Sequence, residues 1–194
     1  MRLATLNLDG EETAAVRVED GYVPIRTANA RFGTDWPEAL FSLIESGRLE
    51  AMRQWHDEGG AKEMQGRLSG GRIAADRVRI GPLCRRPAKI WGIGLNYKDH
   101  ASDLKEIPPE EFPGSFMKAD TTIVAINEPI KIPELSRHTT GEAELGIVIG
   151  KRCKNISKEN WLDVVAGFVP IIDMTAVDLL EKNPRYLTLS KNFV

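Results

Sequence analysis

Residues 141–150 read Gly141-Glu142-Ala143-Glu144-Leu145-Gly146-Ile147-Val148-Ile149-Gly150. Side chains two apart on a β-strand share a face. As a strand, the segment sets Glu142 and Glu144 side by side and turns Ala143, Leu145, Ile147 and Ile149 to the opposite face. Like charges so placed repel unless a cation or a proton lies between them. Two readings follow: the wet face of an edge strand, or a pair of ligands for a hard divalent metal.

Asp173 bears on that choice. It ends the apolar run AGFVPIID and directly precedes MTAVDLL, which has a helical pattern. A strand delivers a side chain to the rim of a sheet at such a point, although aspartate there also suits a helix N-cap. Glu142, Glu144 and Asp173 together make an oxygen-only ligand set, which fits magnesium, manganese or calcium better than zinc.

A second cluster lies in Asn96-Tyr97-Lys98-Asp99-His100-Ala101-Ser102-Asp103, where a short helix is expected over about Asp99–Lys105. On a helix, His100 and Asp103 are neighbours, and a carboxylate so placed orients the imidazole and raises its basicity. That is the pairing of a general base with its orienting acid. A surface histidine with a helix salt link is the alternative. His138 and His56 read as loop and helix-end histidines.

Working outward, RLATLNL and AAVRVED alternate as strands around Asp9-Gly10, and Asp20-Gly21 turns the chain into YVPI. A helical region follows from Asp35, which is placed to cap it, with Leu40, Leu43 and Ile44 at helical spacing. A Gly-, Arg- and Pro-rich stretch holds one strand-like piece, DRVRIGPL. Beyond it, KIWGIG reads as a buried strand, TTIVAI and ELGIVIG as further strands, and ENWLDVVAGFVPIID as a short helix running into an apolar strand. These divide the chain into a small N-terminal domain (1–70), a linker (71–88) and a larger domain (89–194).

With 194 residues, the chain fits a prior of about 100–200 residues per domain. Lys and Arg total 26 against 28 Asp and Glu, and the pI is about 6.0, so no basic footprint for nucleic acid is present. No run approaches the roughly 18 apolar residues of a membrane span, and the acidic start MRLATLNLDGEE argues against a signal peptide. A cytoplasmic protein is expected. Cys84 and Cys153 form no CxxC pattern and read as reduced thiols. GIGLNY has Tyr97 where a dinucleotide fingerprint needs a third glycine, and neither G-x-x-x-x-G-K-[ST] nor G-x-S-x-G occurs.

In series, IWGIGLNYKDH, FMKADTT, GEAELGIVIGKRCKN, AGFVPIIDMTAVDLL and YLTLSKNF resemble the catalytic domain of the fumarylacetoacetate hydrolase family, from about Ile90 to Phe193. The resemblance implies an α+β, mainly β fold. It consists of a catalytic β-roll domain, cut short at its C-terminus relative to the family, behind a small α/β N-terminal domain. It implies a homodimer and a magnesium or manganese cofactor, with calcium as another occupant, held by Glu142, Glu144 and Asp173. Lys191 would lie near the metal as a catalytic residue, and Lys118 and Tyr97 would bind substrate. His100, with Asp103 beside it, would activate water as part of a segment that closes over the substrate.

The implied activity is hydrolysis of a carbon–carbon bond in an acylpyruvate or related 1,3-dicarbonyl acid through a metal-stabilised enolate, a step of aromatic compound catabolism. Alternatives on the same fold are oxaloacetate decarboxylation, dienedioate isomerisation, ureidoglycolate cleavage, or non-catalytic binding of an oxo-acid. Val177 departs from the family pattern, since many members carry arginine there. Another departure is that the family's domain normally continues well past the position of Val194.

Overall fold

The structure is a computed structural model that describes residues 1–68, 70–97, 107 and 111–193. The described residues divide into two compact units.

The first unit comprises Met1–Cys84, Val124–Glu128 and Leu145–Pro170. Its strands are β1 (Leu3–Leu8), β2 (Glu11–Val18), β3 (Gly21–Pro24), β4 (Ile73–Ala74) and β5 (Arg79–Ile80), antiparallel in the order β4-β3-β2-β1-β5. Asp9 and Gly10 both take positive φ, 54° and 91°, as the tight turn between β1 and β2 requires. Residues 73–80, inside the expected linker, supply both edges of this sheet.

Four helices follow the first three strands: α1 (Ile25–Phe32), α2 (Leu40–Glu45), α3 (Leu49–Trp55) and α4 (Ala61–Arg67). They bury Ile25, Ala28, Leu40, Leu43, Ile44, Met52 and Met64 with Ala14, Val16 and Val23 in one apolar cluster. Leu40, Leu43 and Ile44 do so at the spacing the sequence shows. Asp35 does not cap α2, which starts five residues later without a side-chain cap; its carboxylate instead pairs with Arg48, which holds its pKa below the usual value.

The second unit comprises Arg85–Ile123, Pro129–Glu144 and Ile171–Val194. Here β6 (Ile90–Gly94) pairs antiparallel with β7 (Gly114–Lys118), Gly92 facing Phe116 and Ile90 facing Lys118. A further pair joins β8 (Thr139–Ile149) to β9 (Val165–Ala176), two strands that run through both units. β9 leads into α5 (Val177–Lys182), followed by α6 (Leu187–Lys191).

Several expectations change here. Asp173 lies inside β9, four residues before α5 begins, so it is no helix cap. TTIVAI is not a strand; a 3-10 turn over Asp120–Thr122 leads into irregular chain. KIWGIG is a strand but not a buried one, since Trp91 is 60% exposed and only alternate residues turn inward.

The burial of β8 is likewise the reverse of a simple amphipathic strand. Glu142 and Glu144 share the half-buried face, while Ala143, Leu145, Ile147 and Ile149 face outward. Among the described residues of the second unit, buried polar side chains (Ser136, Asp173, Thr175, Ser190, Lys191) outnumber buried apolar ones (Phe116, Ala176, Leu179). Its interior therefore depends on paired polar groups to a degree that the apolar core of the first unit does not.

Candidate active site

The inward face of β7 carries Phe116 and Lys118, two apart. Gly92, opposite on β6, is where the Phe116 ring lies, because a Cβ there would fall 2.3 Å from the ring. The inward face of β9 carries Asp173 and Thr175, also two apart, and α6 brings Lys191 to the same place.

These side chains close into a chain of charged contacts. Lys118 Nζ donates to Asp173 Oδ1 at 2.7 Å, and Lys191 Nζ donates to Asp173 Oδ2 at 2.6 Å and to Glu142 Oε2 at 2.9 Å. The Thr175 hydroxyl donates to Glu142 Oε1, and Lys118 Nζ also reaches the Lys191 carbonyl. All four charged side chains are withdrawn from solvent, with 14% exposure at Lys118, 8% at Asp173, 7% at Lys191 and 17% at Glu142. The Lys191 ammonium additionally stands over the Phe116 ring, 4.8 Å from its centroid. Burial of ions is tolerated only when they are paired and hydrogen-bonded, and each of these is.

Hydrogen bonds hold the supports in place. Asn192 accepts from Ala119 N at 2.6 Å and donates to the Met117 and Thr188 carbonyls, tying the end of β7 to α6. Asp178 accepts from Ser136 Oγ at 2.7 Å and from Arg137 N at 2.8 Å, and these donors hold its carboxyl below the usual carboxylate range. Val177 N–H donates to the His138 carbonyl at 2.9 Å.

Of the residues singled out in the sequence, Lys118, Glu142, Asp173 and Lys191 come together. Glu144 lies on the face of Glu142 without a hydrogen bond or ion pair among the described residues. Tyr97 is exposed, just past Leu95, whose left-handed φ of 55° costs a residue with a Cβ about 1–2 kcal/mol. His100 and Asp103, with the helix expected around them, lie outside the described residues. Sequence reasoning missed Thr175 and Asn192. D-x-T on one strand face was the available signal for Thr175, and none marked Asn192.

A divalent cation fits this donor set in type, since carboxylate oxygens are the donors hard cations prefer. Glu142 and Asp173 already converge on one positive centre, Lys191 Nζ. Glu144 is not gathered with them: among the described residues, no group of three histidine, cysteine or carboxylate side chains is close enough to hold a metal.

Residues 89–194, more than half of the chain, match the fumarylacetoacetate (FAA) hydrolase C-terminal domain. The chain belongs to the fumarylacetoacetate hydrolase family. A mitochondrial oxaloacetate tautomerase from Xenopus laevis is 41% identical over 108 residues, 55% of this chain and 34% of that protein. A maleylpyruvate hydrolase from Sphingobium sp. SYK-6, solved with manganese(II) and pyruvate, superposes with a TM-score of 0.66 at 26% identity, covering 100% of this chain and 62% of that one. A fumarylacetoacetate hydrolase from psychrophilic Exiguobacterium antarcticum gives a TM-score of 0.71 at 24% identity, covering 98% and 61%. The chain thus spans less than two thirds of each of these relatives. Relatives of this chain include hydrolases and a tautomerase of small oxo-acids. No helix among the described residues is long and apolar enough to cross a membrane.

Proposed function

We propose that this chain carries the site of a divalent-metal-dependent hydrolase that cleaves a carbon–carbon bond in an acylpyruvate or related 1,3-dicarbonyl acid. The observation that carries the proposal is the convergence of two carboxylates, buried Asp173 and half-buried Glu142, with two lysines, buried Lys191 and half-buried Lys118, in the segment matched to the family. Glu142, Glu144 and Asp173 would hold magnesium or manganese. When bound, the cation polarises a chelated 2-oxo-acid carbonyl and stabilises the negative charge that develops as the bond breaks.

The chain's own residues do the rest. Lys118 and Lys191 supply ammonium groups for the anionic oxygens of the substrate, and the Thr175 hydroxyl fixes the rotamer of Glu142. His100, oriented by Asp103, takes a proton from the attacking water, and Tyr97 lines the substrate. A homodimer acting in the cytoplasm belongs to the same proposal.

The test follows the enol absorbance of acylpyruvates with and without magnesium or manganese. Metal-dependent loss of absorbance is expected, falling on the order of 100-fold or more in Glu144→Ala. Unchanged turnover in that variant would refute the assigned ligand set.

The identity to an oxaloacetate tautomerase favours a second reading, in which the same residues move a proton between the enol and keto forms of oxaloacetate without breaking a bond. Oxaloacetate in the same assay separates the two, because tautomerisation consumes the enol and releases no smaller acid.

A further inference from the structure

Asn192 has no part in the proposed function, yet its side chain grips the backbone around both lysines that do. Its Oδ1 accepts from Ala119 N at 2.6 Å, and its Nδ2 donates to the Met117 carbonyl at 3.0 Å and to the Thr188 carbonyl at 2.9 Å. Met117 and Ala119 flank Lys118, Thr188 lies in α6, which ends at Lys191, and Asn192 directly follows Lys191. At the end of β7, the carboxamide thus supplies the donor and the acceptor that a neighbouring strand's peptide would supply. The Lys118 ammonium in turn donates to the Lys191 carbonyl at 2.5 Å, which closes a ring of contacts through both lysine residues. The ring needs one acceptor and two donors on a short stem. Aspartate would offer no donor, and serine only one.

We infer that Asn192 is a positioning residue, which fixes the spacing of Lys118 and Lys191 so that their ammonium groups face Asp173 and the anionic oxygens of the substrate as one unit. It acts through the backbone of the two lysines. This inference rests on the reading of those lysines as substrate-binding groups.

Acylation of the metal-free full chain by acetic anhydride, followed by mass spectrometry, tests it. The Lys118 side chain is 14% exposed, and the exposed Lys62 gives a reference rate. In Asn192→Ala the Lys118 rate relative to Lys62 is expected to rise at least about tenfold, because the hydrogen bonds on both sides of its backbone are gone. Asp178→Asn weakens the same unit at the Ser136 contact and is expected to leave that ratio within about twofold of wild type. A ratio unchanged in Asn192→Ala, or raised as much by Asp178→Asn, overturns the inference.

In the acylpyruvate assay Asn192→Ala is expected to raise KM at least about tenfold and to change kcat by less than about threefold, since grip on the substrate is what it loses. An unchanged KM overturns the inference. Absence of turnover in wild type overturns the proposed function instead, and the acylation rates still decide whether Asn192 positions the lysines. Should the variant not fold, hydrogen exchange on the wild type decides. Ala119 N–H, whose acceptor is Asn192, is expected to exchange as slowly as the paired amides of β7, and fast exchange there overturns the inference.

Discussion

Asp173→Asn is expected to be the most damaging conservative change in the second unit. The substitution keeps size and shape and removes one charge. Asp173 is only 8% exposed and pairs with two ammonium groups, Lys118 at 2.7 Å and Lys191 at 2.6 Å. Removing one partner of a buried ion pair costs about 3–5 kcal/mol, because the remaining charge is left uncompensated, and here Lys118 loses its only carboxylate partner among the described residues. For chains of this size 1 kcal/mol moves the melting temperature by roughly 2–4 °C, so a fall of roughly 6–20 °C is expected.

The measurement is calorimetric or circular-dichroism melting in excess chelator, so that metal ligation plays no part. Glu63→Gln serves as control, since Glu63 forms an exposed pair with Arg67 at 2.9 Å and such pairs contribute about 0.5 kcal/mol or less. The double variant Asp173→Asn/Lys118→Met should recover part of the loss, because it removes the stranded ammonium. A melting point within two degrees or so of wild type, matching the Glu63→Gln control, would refute the view that charge pairing holds this unit together.

Gly92→Ala places a methyl group 2.3 Å from the Phe116 ring, so urea denaturation should show a loss of about 1–3 kcal/mol. Asp178 has a carboxyl pKa held below its ordinary value of 3.8 by the Arg137 amide and Ser136 hydroxyl. A depressed folded-state value contributes stability that is present above the unfolded pKa and is lost as pH falls through the folded one. Asp178→Asn should therefore lower stability near neutral pH and show a shallower decline below about pH 4 in urea titrations across pH.

Local patterns made much of this legible, and the limits were physical. Leu40, Leu43 and Ile44 point inward because helical spacing and burial agree. The shared face of Glu142 and Glu144 follows from strand geometry alone. Which face of β8 turns inward does not, because hydrophobicity assigns the apolar side to the interior, whereas the buried Lys191 here pairs with Glu142 on the other side. Asp173, taken alone, reads more readily as a helix cap than as a strand residue, since its helix starts only four residues on. Lys118 and Lys191 are separated by 73 residues, and no periodicity connects them, so only the family resemblance brought them together.

Charge counting distinguishes the role of Glu144 from that of its neighbours. Glu142 and Asp173 contribute two negative charges, and Lys118 and Lys191 two positive ones, so the buried chain of contacts is neutral without Glu144. Such a neutral network needs no metal to balance its charges, and the face of Glu142 then presents one further carboxylate with no cation beside it among the described residues. If that carboxylate is there to attract a divalent ion and has no part in the folded network, Glu144→Gln should change stability in chelator by less than about 0.5 kcal/mol. The same variant should weaken manganese binding by at least about tenfold, since one ligand loses its charge. Asp173→Asn should impair both. Melting in chelator and manganese titration of the two variants side by side give the answer, and equal destabilisation by Glu144→Gln and Asp173→Asn would show that Glu144 belongs to the structural network.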